Sequence, residues 1–152
     1  MSRHVMRTDW RFFWRELHGP LPLSTVRAVV DGAYVTATLQ RRGLRPLLRE
    51  PVTTRRRDPA RARAVTAAVD GGLAVLPVAP TCLRRSVTLL RELERRGLEG
   101  TLHVGVRRGA SAVEAHAWVQ VGDEVVNDDP LEVARFAVLA AGDLERILPG
   151  LA

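Results

Sequence analysis

Three residues that together could hydrolyse a peptide bond lie in one stretch of the chain, between residues 80 and 130. Cys82 is the only cysteine, His116 lies in a segment of alternating polarity, and Asp128 follows the next turn. A thiolate can attack a carbonyl carbon if a base takes the thiol proton and a third group orients that base. The sequence therefore predicts a cysteine hydrolase with these three residues as nucleophile, base and orienting acid.

The nucleophile needs a position that favours the thiolate, and a helix start provides one. Thr81 is a suitable N-cap for a helix over residues 82–96, and Gly97 is a suitable end. In the first turn, unpaired N–H groups and the helix dipole favour a thiolate and can hold an oxyanion. No glutamine stands just before Cys82 to act as a second oxyanion donor. The alternative is that Cys82 is a small apolar residue buried in the core.

The base is expected on a strand. Residues 113–121 alternate between apolar and polar side chains, which predicts a strand whose polar face carries His116 and Trp118. Residues 101–106 predict a neighbouring strand, in which His103 has the same parity and is expected at the surface or beside the site. His116 should therefore face a cleft and not the core.

Two adjacent acids follow the turn that Gly122 and Asp123 predict. The pattern from Asp129 to Glu132, with proline between them, is that of a capping box, which gives Asp129 a structural role and leaves Asp128 to orient the histidine. A strict two-residue turn would instead place Asp129 opposite the histidine, whereas a bulge or a three-residue loop would place Asp128 there. We take Asp128 as the third member.

The first 75 residues are predicted to be mainly helical, as scaffold and docking surface. Trp10, Phe13 and Trp14 recur at helical spacing and form an apolar face that either packs on the domain or binds a partner protein. A helix over residues 24–40 follows, with a strand over residues 34–39 as the alternative. The next connection, residues 45–57, is expected to be exposed.

Two further helical regions are predicted on either side of the catalytic stretch. Asp58 and Pro59 begin a helix that Gly71 and Gly72 should stop near residue 70. The C-terminal part, residues 131–152, is expected to form an apolar helix over residues 131–141 and a short amphipathic tail. We therefore divide one domain of 152 residues into a helical N-terminal part, a catalytic core over residues 80–130 and C-terminal helices.

Composition limits the class of protein. With 152 residues and a hydrophobic share of 46%, the chain can form one globular core. A single cysteine cannot form an internal disulfide, which favours a reducing compartment. The sequence shows neither a signal-peptide apolar region nor a run near the ~20 apolar residues of a membrane span. We expect a soluble, cytoplasmic protein that does not bind membranes.

Charge and motifs also bear on partners and cofactors. The net charge is +6, carried by arginine without lysine, and such a surface is either simply solvated or attracts an acidic protein or peptide. Only 5% of residues are aromatic, so few can stack on bases and nucleic acid is not expected. The sequence has no phosphate-binding glycine loop, and its histidines lack ligand spacing with the cysteine. We expect no cofactor and no metal.

The motifs around the three candidate residues occur in a characteristic order. They are Cys82-Leu83-x-Arg85-Ser86, an Arg95-Arg96-Gly97 helix end, Leu102-His103-Val104-Gly105-Val106, His116-Ala117-Trp118-Val119 and Asn127-Asp128. In these the chain resembles the transglutaminase-like lasso-peptide leader peptidases, the B proteins, and among them the split B2 form. The resemblance is strong over residues 80–130 and weak before them, and its twelve-residue spacing from histidine to acid favours Asp128.

The resemblance implies an α+β fold of the papain and transglutaminase type, in which the cysteine helix packs on a small antiparallel sheet. It implies a peptidase that cleaves a precursor peptide between leader and core through an acyl-enzyme on Cys82. A separate leader-binding B1 protein, a RiPP recognition element, would present the precursor, and an ATP-dependent cyclase would then close the core. Trp10, Phe13, Trp14, Trp118 and Arg85 are the candidate substrate- or partner-binding residues.

Two other functions remain open at this point. An acyltransferase or amidase on the same fold would pass the acyl group to an amine, and its product would carry a mass adduct. A peptide-binding module without catalytic activity would tolerate replacement of Cys82 by serine, whereas an acyl-enzyme mechanism would not.

Overall fold

Three long helices precede a small sheet in the computed structural model, which describes residues 23–47 and 55–140. The helices are α1 (Leu23–Arg42), α2 (Pro59–Ala74) and α3 (Cys82–Arg95), with a 3₁₀ turn at Arg45–Leu47. Residues 34–39, for which a strand was the alternative, are helical. None of these helices is long and apolar enough to cross a membrane.

Four antiparallel strands form the sheet. The elements of this half are β1 (Thr101–Arg108), β2 (Val113–Val121), β3 (Glu124–Val125), the one-turn helix α4 (Pro130–Val133) and β4 (Ala137–Val138). The strands lie in the order β3-β2-β1-β4, and β1 pairs with β2 along its whole length. The expectation of an α+β fold, with the cysteine helix on a small antiparallel sheet, is confirmed.

The helix ends follow the capping residues that the sequence indicates. The Asp58 side chain accepts a hydrogen bond from the N–H of Arg61 at 3.0 Å, and Thr81 Oγ1 accepts one from the N–H of Arg84 at 3.3 Å. These bonds satisfy N–H groups that have no partner within their helices. At the other ends, Gly97 has a φ of 66°, a left-handed conformation that suits glycine after a helix. These predictions are confirmed.

The predicted stop at Gly71 and Gly72 is wrong, because α2 continues to residue 74. The reason lies in the packing of α2 on α1. A Cβ atom added to Gly72 would lie 2.7 Å from the Cβ of Ala28 and 2.9 Å from the backbone nitrogen of Val29. The glycine therefore allows the two helices to approach closely, and this contact outweighs its low helix propensity.

The predicted helix over residues 131–141 is also wrong. Helix α4 ends at Val133, and the chain then forms β4 on the outer edge of β1, where Gly105 pairs with Val138. The N–H of Leu139 donates to the carbonyl of Val104 at 2.8 Å. The unpaired edge of β1 offers backbone partners that outweigh local helical propensity. The tail after residue 140 lies outside the described residues.

The two faces of the sheet are covered by different parts of the chain. Leu89 and Leu93 of α3 pack with Val119 and Val121 on one face. On the other face a smaller cluster forms around Trp118, with Val125, Val133 and Phe136. Trp118 is therefore only 2% exposed. It shares the face of His116, as predicted, but its surroundings on that face are apolar and not polar. The segment from α4 to β4 covers that face.

The connection before α2 is held in place at its end. The N–H of Arg56 donates to the carbonyl of Gly97 at 3.0 Å, and Arg55 and Arg57 form ion pairs with Glu94 at 3.1 Å and Glu99 at 2.7 Å. This end of the connection is therefore anchored to the rest of the fold, although Arg56 and Arg57 are exposed as predicted. Residues 48–54 lie outside the described part of the chain.

Charged side chains are buried between α1 and α3. The Asp31 and Glu92 side chains are 3% and 1% exposed; Arg95 donates to Asp31 at 2.7 Å, and Arg96 binds Glu92. Burial, and then the hydrogen bond to Glu92, raise the pKa of Asp31. Burial acts the same way on Glu92, but the hydrogen bonds from Asp31 and Arg96 outweigh it and lower that pKa. The shared contact therefore favours the protonated form of Asp31 over that of Glu92.

Replacing Asp31 with asparagine is expected to remove part of the pH dependence of stability. Because the pKa of Asp31 is raised above its ordinary value of 3.8, the folded state binds more protons than the unfolded state above that value. Wild-type stability then falls as the pH rises through the folded pKa. Glu92 has the opposite sign, and its window lies below 4.5.

Urea unfolding of both proteins at several pH values measures this effect. The unfolding free energy of the wild type minus that of Asp31→Asn should decrease as the pH rises above 4.5, beyond the window of Glu92. A difference that stays constant or increases over this range would contradict the assignment of the proton to Asp31.

Candidate active site

The clearest polar contact of the site joins a histidine and an aspartate. His116 Nε2 lies 2.7 Å from Asp128 Oδ2, and the two side chains are 25% and 23% exposed. The N–H of Asp129 donates to Asp128 Oδ1 at 2.8 Å, so both carboxylate oxygens are held. Because Nε2 faces the carboxylate, Nδ1 is the ring nitrogen left to accept a proton from another group.

The structure brings Asp128 and not Asp129 to the histidine, although the turn has only two residues. Val121 pairs with Glu124 across the turn, and regular pairing from there would place residue 129 opposite His116. The pairing stops earlier, because the N–H of Val119 donates to the side-chain oxygen of Asn127 at 2.8 Å. The chain leaves the ladder at this point, and Asp128 faces the imidazole.

Asp129 has the capping role that the sequence predicts. Its Oδ1 accepts a hydrogen bond from the N–H of Leu131 at 2.8 Å, and Pro130 begins α4. The returning bond of a full capping box is replaced, because the N–H of Asp129 donates to Asp128 and the Glu132 carboxylate lies 3.0 Å from Arg135. The two adjacent acids therefore have separate partners.

Cys82 is the first residue of α3. Its thiol is free and the residue is partly exposed, so the alternative of a cysteine buried in the core does not hold. The first-turn N–H groups of Cys82 and Leu83 have no partner within the helix, and they lie at the positive end of the helix dipole. This end of α3 can hold a thiolate and stabilise an oxyanion.

A buried serine connects the start of α3 with the strand that carries the histidine. Ser86 lies one turn after Cys82, about 6 Å along the helix axis. Its hydroxyl donates to the carbonyl of Ala117, the residue after His116, at 2.9 Å, and it accepts a hydrogen bond from Asn127 Nδ2 at 2.9 Å. The start of α3 is thus attached to neighbours of both members of the His116–Asp128 pair.

Arg85 strengthens the same connection. Its guanidinium donates to both oxygens of Asp70 on α2, at 2.6 and 2.7 Å, and to the carbonyl of Asn127. The hydrogen bond to Asp70 raises the pKa of Arg85. These donors already bind other residues of the protein. Arg85 therefore links α3 to α2 and to the segment that contains Asn127. Its proposed contact with substrate or partner stays a prediction.

Aromatic rings surround the imidazole of His116. The ring of Phe136 lies 5.2 Å from that of His116, and the ring of Trp118 lies 6.2 Å away. The ring of His103 also stacks on that of Trp118, at 5.8 Å, and burial lowers the pKa of His103. A Cβ at Gly105 would lie 2.8 Å from the Cβ of Phe136. The glycine therefore leaves the space that Phe136 occupies beside His116.

The other predicted substrate- or partner-binding residues are either buried or outside the described residues. Trp118 lies beneath the imidazole and is almost fully buried, so a direct contact with substrate stays a prediction. Trp10, Phe13 and Trp14 lie outside the described residues. Among residues 23–47 and 55–140, no three histidine, cysteine, aspartate or glutamate residues are placed to hold a metal ion.

Sequence reasoning missed three contributors to this site: Ser86, Phe136 and the side chain of Asn127. Ser86 and Asn127 belong to the quoted motifs, but a buried serine and asparagine have no periodicity that would indicate their partners. Phe136 fell in a segment that was predicted to be helical, and its position depends on the pairing of β4 with β1.

The chain is similar to a known protein over part of its length and to a protein family over most of it. The sequence is 37% identical, over 59 residues, to the microcin J25-processing protein McjB of Escherichia coli. The aligned part is 39% of this chain and covers 27% of McjB. No solved structure matches significantly. The profile of the transglutaminase-like superfamily matches residues 26–141, which include most of α1 and every later element of the fold. The match covers most of the chain, which therefore belongs to the transglutaminase-like superfamily.

Proposed function

We propose that this protein is a cysteine peptidase that removes the leader from a ribosomally synthesised precursor during lasso-peptide maturation. The observation that carries the proposal is the His116–Asp128 pair, bonded at 2.7 Å and attached through Ser86 to the helix that begins with Cys82. The family membership and the similarity to a protein named for processing microcin J25 support it.

The first half of the reaction forms an acyl-enzyme. Nδ1 of His116 takes the thiol proton, and the thiolate of Cys82 attacks the carbonyl carbon of the last leader residue. The N–H groups at the start of α3 stabilise the oxyanion. The C–N bond then breaks, the imidazolium gives its proton to the departing amine of the core peptide, and a thioester joins the leader to Cys82.

The second half releases the leader. His116 takes a proton from a water molecule, the hydroxide attacks the thioester carbonyl, and the Cys82 sulfur leaves and recovers a proton from the imidazolium. The Asp128 carboxylate holds the Nε2 proton and stabilises the imidazolium that forms in both halves. The products are a leader with a free carboxylate and a core with a free amine.

The partners belong to the same proposal. We propose that a separate leader-binding protein of the B1 type presents the precursor, and that an ATP-dependent cyclase consumes the core. Trp10, Phe13 and Trp14 are the proposed docking residues for the leader-binding protein. The cytoplasm is the proposed compartment, because the single free thiol suits a reducing environment.

The competing acyltransferase uses the same acyl-enzyme but passes the leader to an amine. Incubation of the precursor with this protein and its leader-binding partner in ¹⁸O-labelled water separates the possibilities by mass spectrometry. The peptidase incorporates one ¹⁸O atom into the new leader carboxylate. A leader joined to an added amine, without ¹⁸O, would establish the acyltransferase, and an uncleaved precursor would favour a binding module.

A further inference from the structure

Asn127 is held by more hydrogen bonds than its neighbours in the sequence. It is 4% exposed; its Oδ1 accepts from the N–H of Val119 at 2.8 Å, and its Nδ2 donates to Ser86 at 2.9 Å. Its carbonyl accepts a hydrogen bond from Arg85. A buried amide whose donor and acceptor are both used has a fixed orientation.

The contact with Val119 replaces a bond that a regular ladder would have. Val126 donates its N–H to the carbonyl of Val119 at 3.1 Å, as in an ordinary antiparallel pair. In such a pair the N–H of Val119 would return to the carbonyl of Val126. That carbonyl accepts from Thr66 Oγ1 at 3.1 Å instead, and the side chain of Asn127 takes the N–H of Val119.

This exchange of hydrogen-bond acceptors at the N–H of Val119 decides which acid reaches the histidine. If the ladder continued past Val126, each further residue of this segment would face one earlier residue of β2, and Asp129 would face His116. With the ladder ended at Asn127, Asp128 reaches the imidazole at 2.7 Å and Asp129 caps α4. The side chain of Asn127, directly before the two aspartates in the sequence, therefore determines which of them contacts His116.

We propose that Asn127 is a positioning residue that selects Asp128, and not Asp129, as the partner of His116. Through Ser86 it also holds that pair in register with the start of α3. The catalytic importance of this role rests on the proposed peptidase function, whereas the selection itself is a property of the folded protein and can be measured without substrate.

The test uses the His116 Nε2–H proton, observed by NMR in the whole protein. In a wild-type background, Asp128→Asn should remove its downfield signal and Asp129→Asn should leave it. In an Asn127→Val background, the side chain can no longer accept the N–H of Val119, and valine favours continuation of the strand. The dependence should then pass to Asp129, so that Asp129→Asn removes the signal and Asp128→Asn does not.

Matched variants separate selection from general damage. Asn127→Asp keeps the oxygen for Val119 and should keep Asp128 as the partner, which also covers the case in which Asn127→Val does not fold. Thr66→Val removes a buried hydroxyl from the adjacent Val126 carbonyl, and should likewise leave the partner unchanged. If Asn127→Val folds and its signal still depends on Asp128, or if Asn127→Asp loses that dependence, the proposal is wrong.

The cleavage assay supplies a separate measurement. We expect Asn127→Val to lower kcat by about 10²-fold with little change in KM, because a displaced catalytic pair costs that order of magnitude, and Asn127→Asp to recover most of it. A wild-type enzyme without peptidase activity would count against the proposed function, while the NMR dependence would still decide the selection by Asn127.

Discussion

Replacing Cys82 with alanine is expected to abolish leader release and to leave the fold intact. Without the thiolate no thioester can form, and loss of a nucleophile typically lowers kcat on the order of 10⁴- to 10⁶-fold. Cys82 is partly exposed at a helix start, so the free energy of unfolding should change by no more than about 0.5 kcal/mol. Single-turnover cleavage of the precursor and urea unfolding measure the two quantities.

The single thiol makes the control simple. Because the chain has one cysteine, an electrophile such as iodoacetamide should add once to the wild type and not at all to Cys82→Ala. The reaction should also be slower in His116→Ala, which lacks the base. Undiminished cleavage by Cys82→Ala would exclude the acyl-enzyme mechanism, regardless of the effect of replacing His116 or Asp128.

Replacing Trp118 with alanine is expected to produce the largest loss of stability of any substitution discussed for this protein. Its side chain is 2% exposed and packs with Val125, Val133 and Phe136. Removal of a buried large aromatic side chain typically costs about 3–5 kcal/mol, a large share of the 5–15 kcal/mol that stabilises an ordinary domain. Urea unfolding with circular dichroism measures this loss.

A conservative variant distinguishes packing from substrate binding. The indole Nε1 of Trp118 is buried and has no hydrogen-bond partner among residues 23–47 and 55–140, so Trp118→Phe should lose much less stability than Trp118→Ala. Val113→Ala, at an exposed position of the same strand, should change stability by less than about 0.5 kcal/mol. If Trp118→Ala instead raises KM and leaves stability unchanged, the residue contacts the substrate and does not support the fold.

Much of the framework could be predicted because it depends on local rules. Thr81 and Asp58 each cap a helix through their own side chains, and Gly122 has the positive φ that a tight turn requires. The alternation of β2 and the capping pattern at Asp129 likewise need only neighbouring residues. These local signals were enough to place Cys82 at a helix start and His116 on a strand.

The remaining features depend on partners far away in the sequence. Gly72 reads as a helix stop, but its role is set by Ala28 on another helix. Phe136 covers the histidine only because β4 pairs with the open edge of β1. The side chain of Asn127 donates a hydrogen bond to the buried Ser86 on α3, 41 residues away in the sequence. Single-sequence periodicity contains no information on such contacts, whose partners are fixed by the assembled fold.

The connection between α3 and Asn127 also has a consequence for the order of folding. The His116–Asp128 contact spans 12 residues of sequence, whereas the Ser86–Asn127 contact spans 41. Closing a longer loop costs more chain entropy, and distant contacts tend to slow folding. The hairpin with its base and acid can therefore assemble before α3 docks. A newly made chain would therefore bring the start of α3 to the imidazole only after the hairpin has formed.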